Sequence, residues 1–232
     1  MRSNLVTKKN ILSFLMRSNF FLFIILGCCV GYASPSCGDL NNAFGPFDYR
    51  DPAVREGPSN PLHLVESAHF TREIESLIRG KSSYLWSDLD YTLRAFPNHH
   101  RALYAFVRYE IREREKAKVK GETYRSPSSD DFPKTAECYL DRAVRWQPND
   151  SDVRLIYGIY LQKMGKMNEA LEQYKISERI QPKSADLNYN MGLLYFDMRQ
   201  YALAKEYAKR AYQLGYPLPG LRKKLASVGQ WP

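Results

Sequence analysis

The chain is 232 residues long and 44% hydrophobic, so it can bury the core of one domain of ordinary size. Its formal net charge of +9 overstates the charge of that domain, because residues 1–33 hold four basic residues and no acidic one (Arg2, Lys8, Lys9 and Arg17). The remaining chain carries 30 basic against 25 acidic residues, a net charge of +5. A surface this weakly basic argues against a nucleic-acid-binding protein.

Residues 1–33 have the pattern of an export signal. The basic residues end near Arg17, an apolar stretch runs from Phe20 to about Val30, and Gly31 and Ala33 provide small residues before a cut. The apolar stretch is about 11 residues long, against the roughly 20 that span a bilayer. The sequence therefore predicts a signal peptide cleaved after Ala33 and export, in a bacterium to the periplasm.

Two alternatives would keep the chain on a membrane. The leader could remain as an uncleaved anchor. Alternatively, Ile25–Cys28 imperfectly resembles a bacterial lipobox, and its use would place a lipid on Cys28. A membrane is an expected partner only in these two cases.

The chain has four cysteines, of which Cys28 and Cys29 fall inside the apolar stretch of the leader. Cys37 and Cys138 remain as an even pair, and an oxidising compartment allows them to form a disulfide. The alternative is two unrelated thiols. Neither the cysteines nor the histidines have a spacing typical of a metal site, so no metal and no cofactor is predicted.

Residues 34–62 are interrupted by glycine and proline throughout, which excludes regular helix or strand. They also contain Phe44, Phe47 and Tyr49, which make the segment too aromatic for a free linker. We expect an extended arm that docks on the helices, either against the first helix pair or in a groove of the domain that follows.

Residues 66–97 read as a degenerate helix pair. Apolar residues at helical spacing predict a first helix over 71–79 and a second that begins near Ser87 and stops at Pro97. Asp88 and Asp90 are interpreted as acids in the first turn of that second helix rather than as a catalytic pair.

Residues 98–150 predict a longer, interrupted unit. Asn98 is the expected N-cap of a helix that runs on through a charged stretch to Lys118. A polar loop, 121–132, separates it from a second helix that starts near Pro133 and ends at Trp146. Long loops of this kind are either functional or merely tolerated.

From Pro133 to Tyr216 the sequence repeats every 34 residues. The matched positions are Ala136, Ala170 and Ala204; Pro148 and Pro182; Gly158 and Gly192; Trp146, Ile180 and Leu214; Ala143, Ser177 and Ala211; and Met167 and Tyr201. This period is typical of stacked helix–turn–helix units, in which small residues permit close helix crossings. A short amphipathic helix over 218–228 would cap the exposed end of the stack.

The units 151–184 and 185–218 resemble tetratricopeptide repeats. The first matches the signature of that family at Gly158, Leu161, Ala170, Tyr174, Ile180 and Pro182, and the second at Met191, Gly192, Tyr195, Ala204, Ala211 and Leu214. The departures are Arg154, Asn188 and Tyr216. The resemblance implies an all-α, right-handed superhelical solenoid of about four helix pairs plus a capping helix, over residues 63–232. Some exported bacterial repeat proteins look similar in the stretches 45–49 and 88–100.

Repeats of this family are usually binding scaffolds, so we expect an exported, non-enzymatic protein that binds a protein or peptide partner. The sequence contains no nucleophile elbow, phosphate-binding glycine loop or H-E-x-x-H motif, and no catalytic residue is predicted. The carboxylate clamp used by some members is absent from the first helices of both units. The alternatives are a lipid-anchored assembly factor of the cell envelope, or a hydrolase with a site scattered over 34–62 and 121–132.

The first helix of each unit is expected to line the concave face. Helical spacing places ten residues in this groove: Tyr104, Arg108, Asp152, Leu155, Ile159, Gln162, Asp186, Tyr189, Leu193 and Phe196. Because exposed apolar patches usually mark a binding site, we expect Tyr189 and Phe196 to contribute to partner binding and little to the stability of the fold.

Overall fold

Ten α-helices follow one another along the described part of the chain. The computed structural model describes residues 37–56, 59–81, 84–127 and 132–231, and the predicted leader lies outside these ranges. The helices are α1 (Pro61–His69), α2 (Arg72–Glu75), α3 (Leu85–Ala95), α4 (His100–Val119), α5 (Ala136–Trp146), α6 (Ser151–Lys163), α7 (Met167–Ile180), α8 (Ala185–Asp197), α9 (Tyr201–Gln213) and α10 (Gly220–Ser227). None of these helices is both long enough and apolar enough to cross a membrane.

The two regular hairpins are α6–α7 and α8–α9, and local chemistry sets their ends. Asp150 caps α6 by accepting hydrogen bonds from the backbone N–H groups of Asp152 and Val153, and Ser184 caps α8 in the same way through the N–H of Leu187. Each first helix ends in a turn with a left-handed residue, Gly165 with φ of 79° and Arg199 with φ of 58°. These two residues lie 34 positions apart, so the turn is repeated even where glycine is not.

Within each hairpin, a glycine permits the close approach of the two helices. A Cβ atom on Gly158 would lie 2.2 Å from Cε1 of Tyr174, whose ring is fully buried. A Cβ atom on Gly192 would lie 2.4 Å from Leu221 of α10 and 3.3 Å from the backbone oxygen of Ala204. The predicted all-α solenoid of helical hairpins is confirmed, and α10 covers its end with Leu221 and Leu225 fully buried.

The first helices differ from those predicted. A helix was expected over 71–79, but only one turn, α2, forms there, because Leu77 adopts a left-handed conformation with φ of 58°. Instead, α1 begins at Pro61 and packs on α3. Asn60 caps α1 through the N–H of His63, and Pro61 occupies the first helical position, where its missing N–H costs nothing.

The helix predicted to begin near Ser87, α3, starts two residues earlier, and the cap predicted for α4 is wrong. The N-cap of α3 is Tyr84, which makes no side-chain cap, and Ser87 and Asp88 lie inside the helix. The N-cap of α4 is His99 and not Asn98, because Nδ1 of His99 accepts a hydrogen bond from the N–H of Ala102 at 3.1 Å.

The arm docks against the first helix pair. The backbone N–H of Phe47 donates to the oxygen of Ala95 at 2.8 Å, and the ring of Phe47 packs on Phe96 at 5.3 Å. A Cβ atom on Gly45 would lie 2.5 Å from the same backbone oxygen. Residues 37–56 therefore dock on the first helix pair, and the alternative expectation, that the arm lies in the groove, is wrong for them.

Cys37 and Cys138 form a disulfide that joins the start of the described arm to α5, with the two Cα atoms 5.1 Å apart. Beside it, the buried guanidinium of Arg142 donates to the backbone oxygens of Cys37 and Asp39. The arm is thus attached to the helices by a covalent bond, backbone hydrogen bonds and aromatic packing.

Candidate functional site

A groove of about 550 Å³ runs across α4, α6 and α8 and ends at Tyr216. This volume lies in the range of ligand-binding clefts. The structure brings seven of the ten predicted residues together along it: Tyr104, Asp152, Leu155, Ile159, Asp186, Tyr189 and Leu193. The floor is formed by aliphatic and aromatic side chains, and charged side chains lie at the edges.

Three predicted residues do not line the groove. Arg108 donates to the backbone oxygen of Glu75, the last residue of α2. Gln162 donates to Asp197 at 2.7 Å and accepts a hydrogen bond from the hydroxyl of Tyr174. Phe196 packs on Tyr201, at 5.4 Å between the ring centroids. The side chains of these three residues contact other residues of the chain outside the groove.

Tyr189 was expected to contribute little to the stability of the fold, but the structure buries its side chain. Only 8% of its surface is exposed. Its ring stacks on Tyr216 at 3.9 Å, and its hydroxyl oxygen accepts a hydrogen bond from the backbone N–H of Leu221 at 3.2 Å. Tyr189 therefore forms part of the groove and at the same time holds the capping helix.

Sequence reasoning missed six further lining residues: His100, Arg101, Ile156, Lys163, Asn190 and Tyr216. Ile156, Lys163 and Asn190 follow predicted positions by one or four residues, so a wider helical stripe would have included them. Tyr216 stands where the repeat family has proline, and that departure was the only sequence signal for it.

At one edge of the groove, His100, Asp150 and Asp152 have ligand atoms within 4.8 Å of one another, which is close enough to hold a metal ion. The carboxylate of Asp150 is already engaged, however. It caps α6, accepts from Nδ2 of Asn98 at 3.0 Å and lies 3.3 Å from Nε of Arg50. Burial raises the pKa of Asp150, but the hydrogen bond and charge of His100, with the hydrogen bonds from Asn98 and Val153, hold it below its ordinary value. Through Arg50, Asn98 and Asp150 the cluster joins the arm to the interrupted unit.

His99 is the buried counterpart of His100. Because Nδ1 accepts the cap hydrogen bond from Ala102, Nε2 carries the proton and donates to Glu66 at 3.0 Å. Burial lowers the pKa of His99 despite the neighbouring carboxylate, and this shift favours the neutral ring. His99 thus links the start of α4 to Glu66 of α1.

The carboxylates of Asp88 and Asp90 are each engaged by neighbouring residues. Asp88 is buried, accepts from the N–H of Lys81 at 2.8 Å and lies 3.0 Å from Nδ1 of His69. Asp90 pairs with Arg94 and accepts from the hydroxyl of Tyr139 at 2.6 Å. Both carboxylates tie helices together rather than face a shared cleft.

A larger cavity of about 860 Å³ lies between the extension of α4 and the loop that follows it. Its walls carry the rings of Tyr84, Trp86, Tyr109 and Tyr124. The acids that line it are Glu113 and Glu122, and no described histidine or aspartate joins them. The converging Asp, Glu and His side chains that a scattered hydrolase site would need are not found along this cavity.

The sequence model of a family described as TPR repeat matches residues 160–198, from the last turn of α6 to the end of α8. Among curated proteins, none matches the sequence significantly.

Several solved structures are similar in fold. PilF of Pseudomonas aeruginosa is 18% identical with a TM-score of 0.48, over 72% of this chain and 65% of PilF, so the chain covers less than two thirds of that protein. TTC0263, a thermophilic TPR protein of Thermus thermophilus, is 18% identical with a TM-score of 0.45, over 75% of this chain and 84% of the other. YrrB, described as a TPR protein with an unusual peptide-binding site, is 21% identical with a TM-score of 0.37, over 76% and 96%.

At these identities and TM-scores the likenesses say nothing about what this chain binds. The 34-residue period, the glycine-mediated helix crossings and the family match agree on the nature of the repeated units. Residues 160–198 match the TPR-repeat family, and the hairpins α6–α7 and α8–α9 have the paired-helix architecture expected of such repeats.

Proposed function

We propose that this protein is an exported, non-enzymatic scaffold that binds a protein or peptide partner in the groove across α4, α6 and α8. The observation that carries the proposal is the apolar surface of this groove, which the described arm leaves uncovered. Tyr104 is 44% exposed, and Ile159 and Leu193 are half-buried. Aromatic and aliphatic side chains in a concave site are the usual anchors of a bound segment.

Tyr104 offers a test of the groove that spares the core. We expect Tyr104→Ala to weaken partner binding at least about tenfold, the effect of losing one well-placed aromatic anchor, with little change in melting temperature. Tyr91, on α3 and 41% exposed, provides the matched control Tyr91→Ala.

The partner can be identified with a photo-crosslinking amino acid placed at position 104 or at position 91 in living cells. The proposal requires a discrete adduct from position 104 that position 91 does not give, and weaker binding of that same protein to the Tyr104→Ala variant. The same set of adducts from both positions would contradict it.

Export is proposed from the pattern of residues 1–33, and a disulfide in the following domain is in keeping with an oxidising compartment. We expect intact-mass spectrometry of the exported protein to find a chain that starts at Ser34. A lipidated chain starting at Cys28 would instead favour the alternative, an envelope assembly factor. A membrane-embedded protein that keeps Met1 would contradict cleavage.

A further inference from the structure

The charges along the groove are distributed unevenly. Asp152 and Asp186 occupy the second position of α6 and α8, lie 34 residues apart, and both face the groove with exposed carboxylates. Within the described residues, the side chain of Asp186 has no hydrogen-bonding or ionic partner, and that of Asp152 lies 3.5 Å from Nδ1 of His100. A carboxylate in the first turn also favours a helix, but that role does not require the side chain to face a groove.

The cations of the groove do not neutralise this edge. Arg101 is held by Glu75 and Glu66. Lys163 is the last residue of α6, so it lies about 16 Å along the helix from Asp152 at roughly 1.5 Å per residue. Arg50 is close enough to interact with Asp152, but its guanidinium is held by Asp48 and Asp150. Asp152 and Asp186 are therefore paired with no lysine or arginine among the described residues that line the groove.

Aromatic rings lie beside these carboxylates. Tyr216 stacks on Tyr189, and burial raises the pKa of Tyr216 to about 12, with Asp186 and Tyr104 close enough to add to the effect. Ring faces attract cations, and carboxylates attract them more strongly. This combination suits an ammonium or guanidinium group better than an acid.

We propose that the groove selects an extended peptide segment of the partner that carries two basic residues three positions apart beside apolar ones. Neighbouring packed helices lie about 8–10 Å apart, and Asp152 and Asp186 are on two such helices. A polyproline-type segment rises about 3.1 Å per residue with three residues per turn, so side chains three apart share a face at roughly 9 Å. The apolar residues would contact Leu155, Ile159 and Leu193.

This inference rests on the proposed function and is tested with three fluorescent, end-blocked nonapeptides that share leucine at the fourth and seventh positions. Their third and sixth residues are lysine, glutamine or glutamate, and the full exported chain is titrated by fluorescence anisotropy. We expect the lysine peptide to bind about tenfold more tightly than the glutamine peptide at low salt. The preference should fall as salt is added, because exposed charges are screened.

Variants that neutralise Asp152 and Asp186 test whether these carboxylates cause the preference for the lysine peptide. Asp186→Asn should reduce the preference for the lysine peptide to about threefold, and Asp152→Asn combined with Asp186→Asn should abolish it, by weakening the lysine peptide toward the affinity of the glutamine peptide. Glu172→Gln, at an exposed position of α7, makes the same charge change away from the groove and should alter nothing.

Two results would overturn different claims. Equal affinity for the lysine and glutamine peptides, with both weakened by Tyr104→Ala, would overturn the selectivity and leave the groove as the binding site. Absence of binding to all three peptides, or binding that Tyr104→Ala leaves unchanged, would count against the groove itself.

Discussion

Replacing Cys37 and Cys138 together with alanine is expected to lower the free energy of unfolding by about 4–5 kcal/mol. The two residues are 101 positions apart, so the disulfide closes a loop that covers nearly half of the chain. In the chain-entropy treatment, the cost of losing such a constraint on the unfolded state grows with loop length. Alanine is preferred to serine because both sites are buried and a hydroxyl there would need a partner.

The measurement is urea unfolding of the oxidised wild type and the double variant, followed by the helical CD signal. A reductant supplies the internal control: it should lower the midpoint of the wild type to that of the variant and leave the variant unchanged. A non-reducing digest should also yield the linked peptides. Equal midpoints for the oxidised wild type and the variant would contradict the expected stabilisation.

The regular repeats could be predicted from the sequence because each depends on local chemistry. The N-caps Asp150 and Ser184 and the glycines at the helix crossings are each visible in one short segment. Because the pattern recurs after 34 residues, each of these local features occurs twice. A single departure, such as Arg199 in the left-handed turn, therefore does not hide the repeat.

The start of the domain was harder to predict for two physical reasons. Pro61 was counted as a helix breaker, although at the first helical position proline begins a helix. The left-handed conformation of Leu77 ends α2 early, and non-glycine residues rarely adopt it. The docking site of the arm depends on contacts of Phe47 and Cys37 with residues far along the chain, which no local pattern encodes.

The groove residues were predicted from helical spacing along the first helix of each unit, and most of the predicted residues do line the groove. Spacing cannot reveal which members of a stripe are already engaged by another element. The partners of Tyr189 are Tyr216 and Leu221, which lie beyond the next helix. That non-local contact is why a residue facing the groove also belongs to the core.

Tyr189→Ala is accordingly expected to cost about 3–5 kcal/mol of stability, the usual effect of removing a buried aromatic side chain. The substitution removes the ring that stacks on Tyr216 and leaves the buried N–H of Leu221 without its acceptor. Because Leu221 also packs against Gly192, we expect the loss to spread to the contact between α8 and α10. Hydrogen exchange should show faster exchange of the Leu221 amide.

Tyr189→Phe separates the contribution of the stacked ring from that of the hydroxyl oxygen. It keeps the stacked ring and removes only the hydroxyl acceptor, so we expect a smaller loss of about 1–3 kcal/mol, again with faster exchange at Leu221. Leu193→Ala, at a half-buried side chain on the same helix, should leave the Leu221 amide protected. If Tyr189→Ala unfolds at the wild-type urea concentration with the Leu221 amide still protected, the ring contributes to the groove alone, and a loss of partner binding in that variant could be read directly as a binding effect.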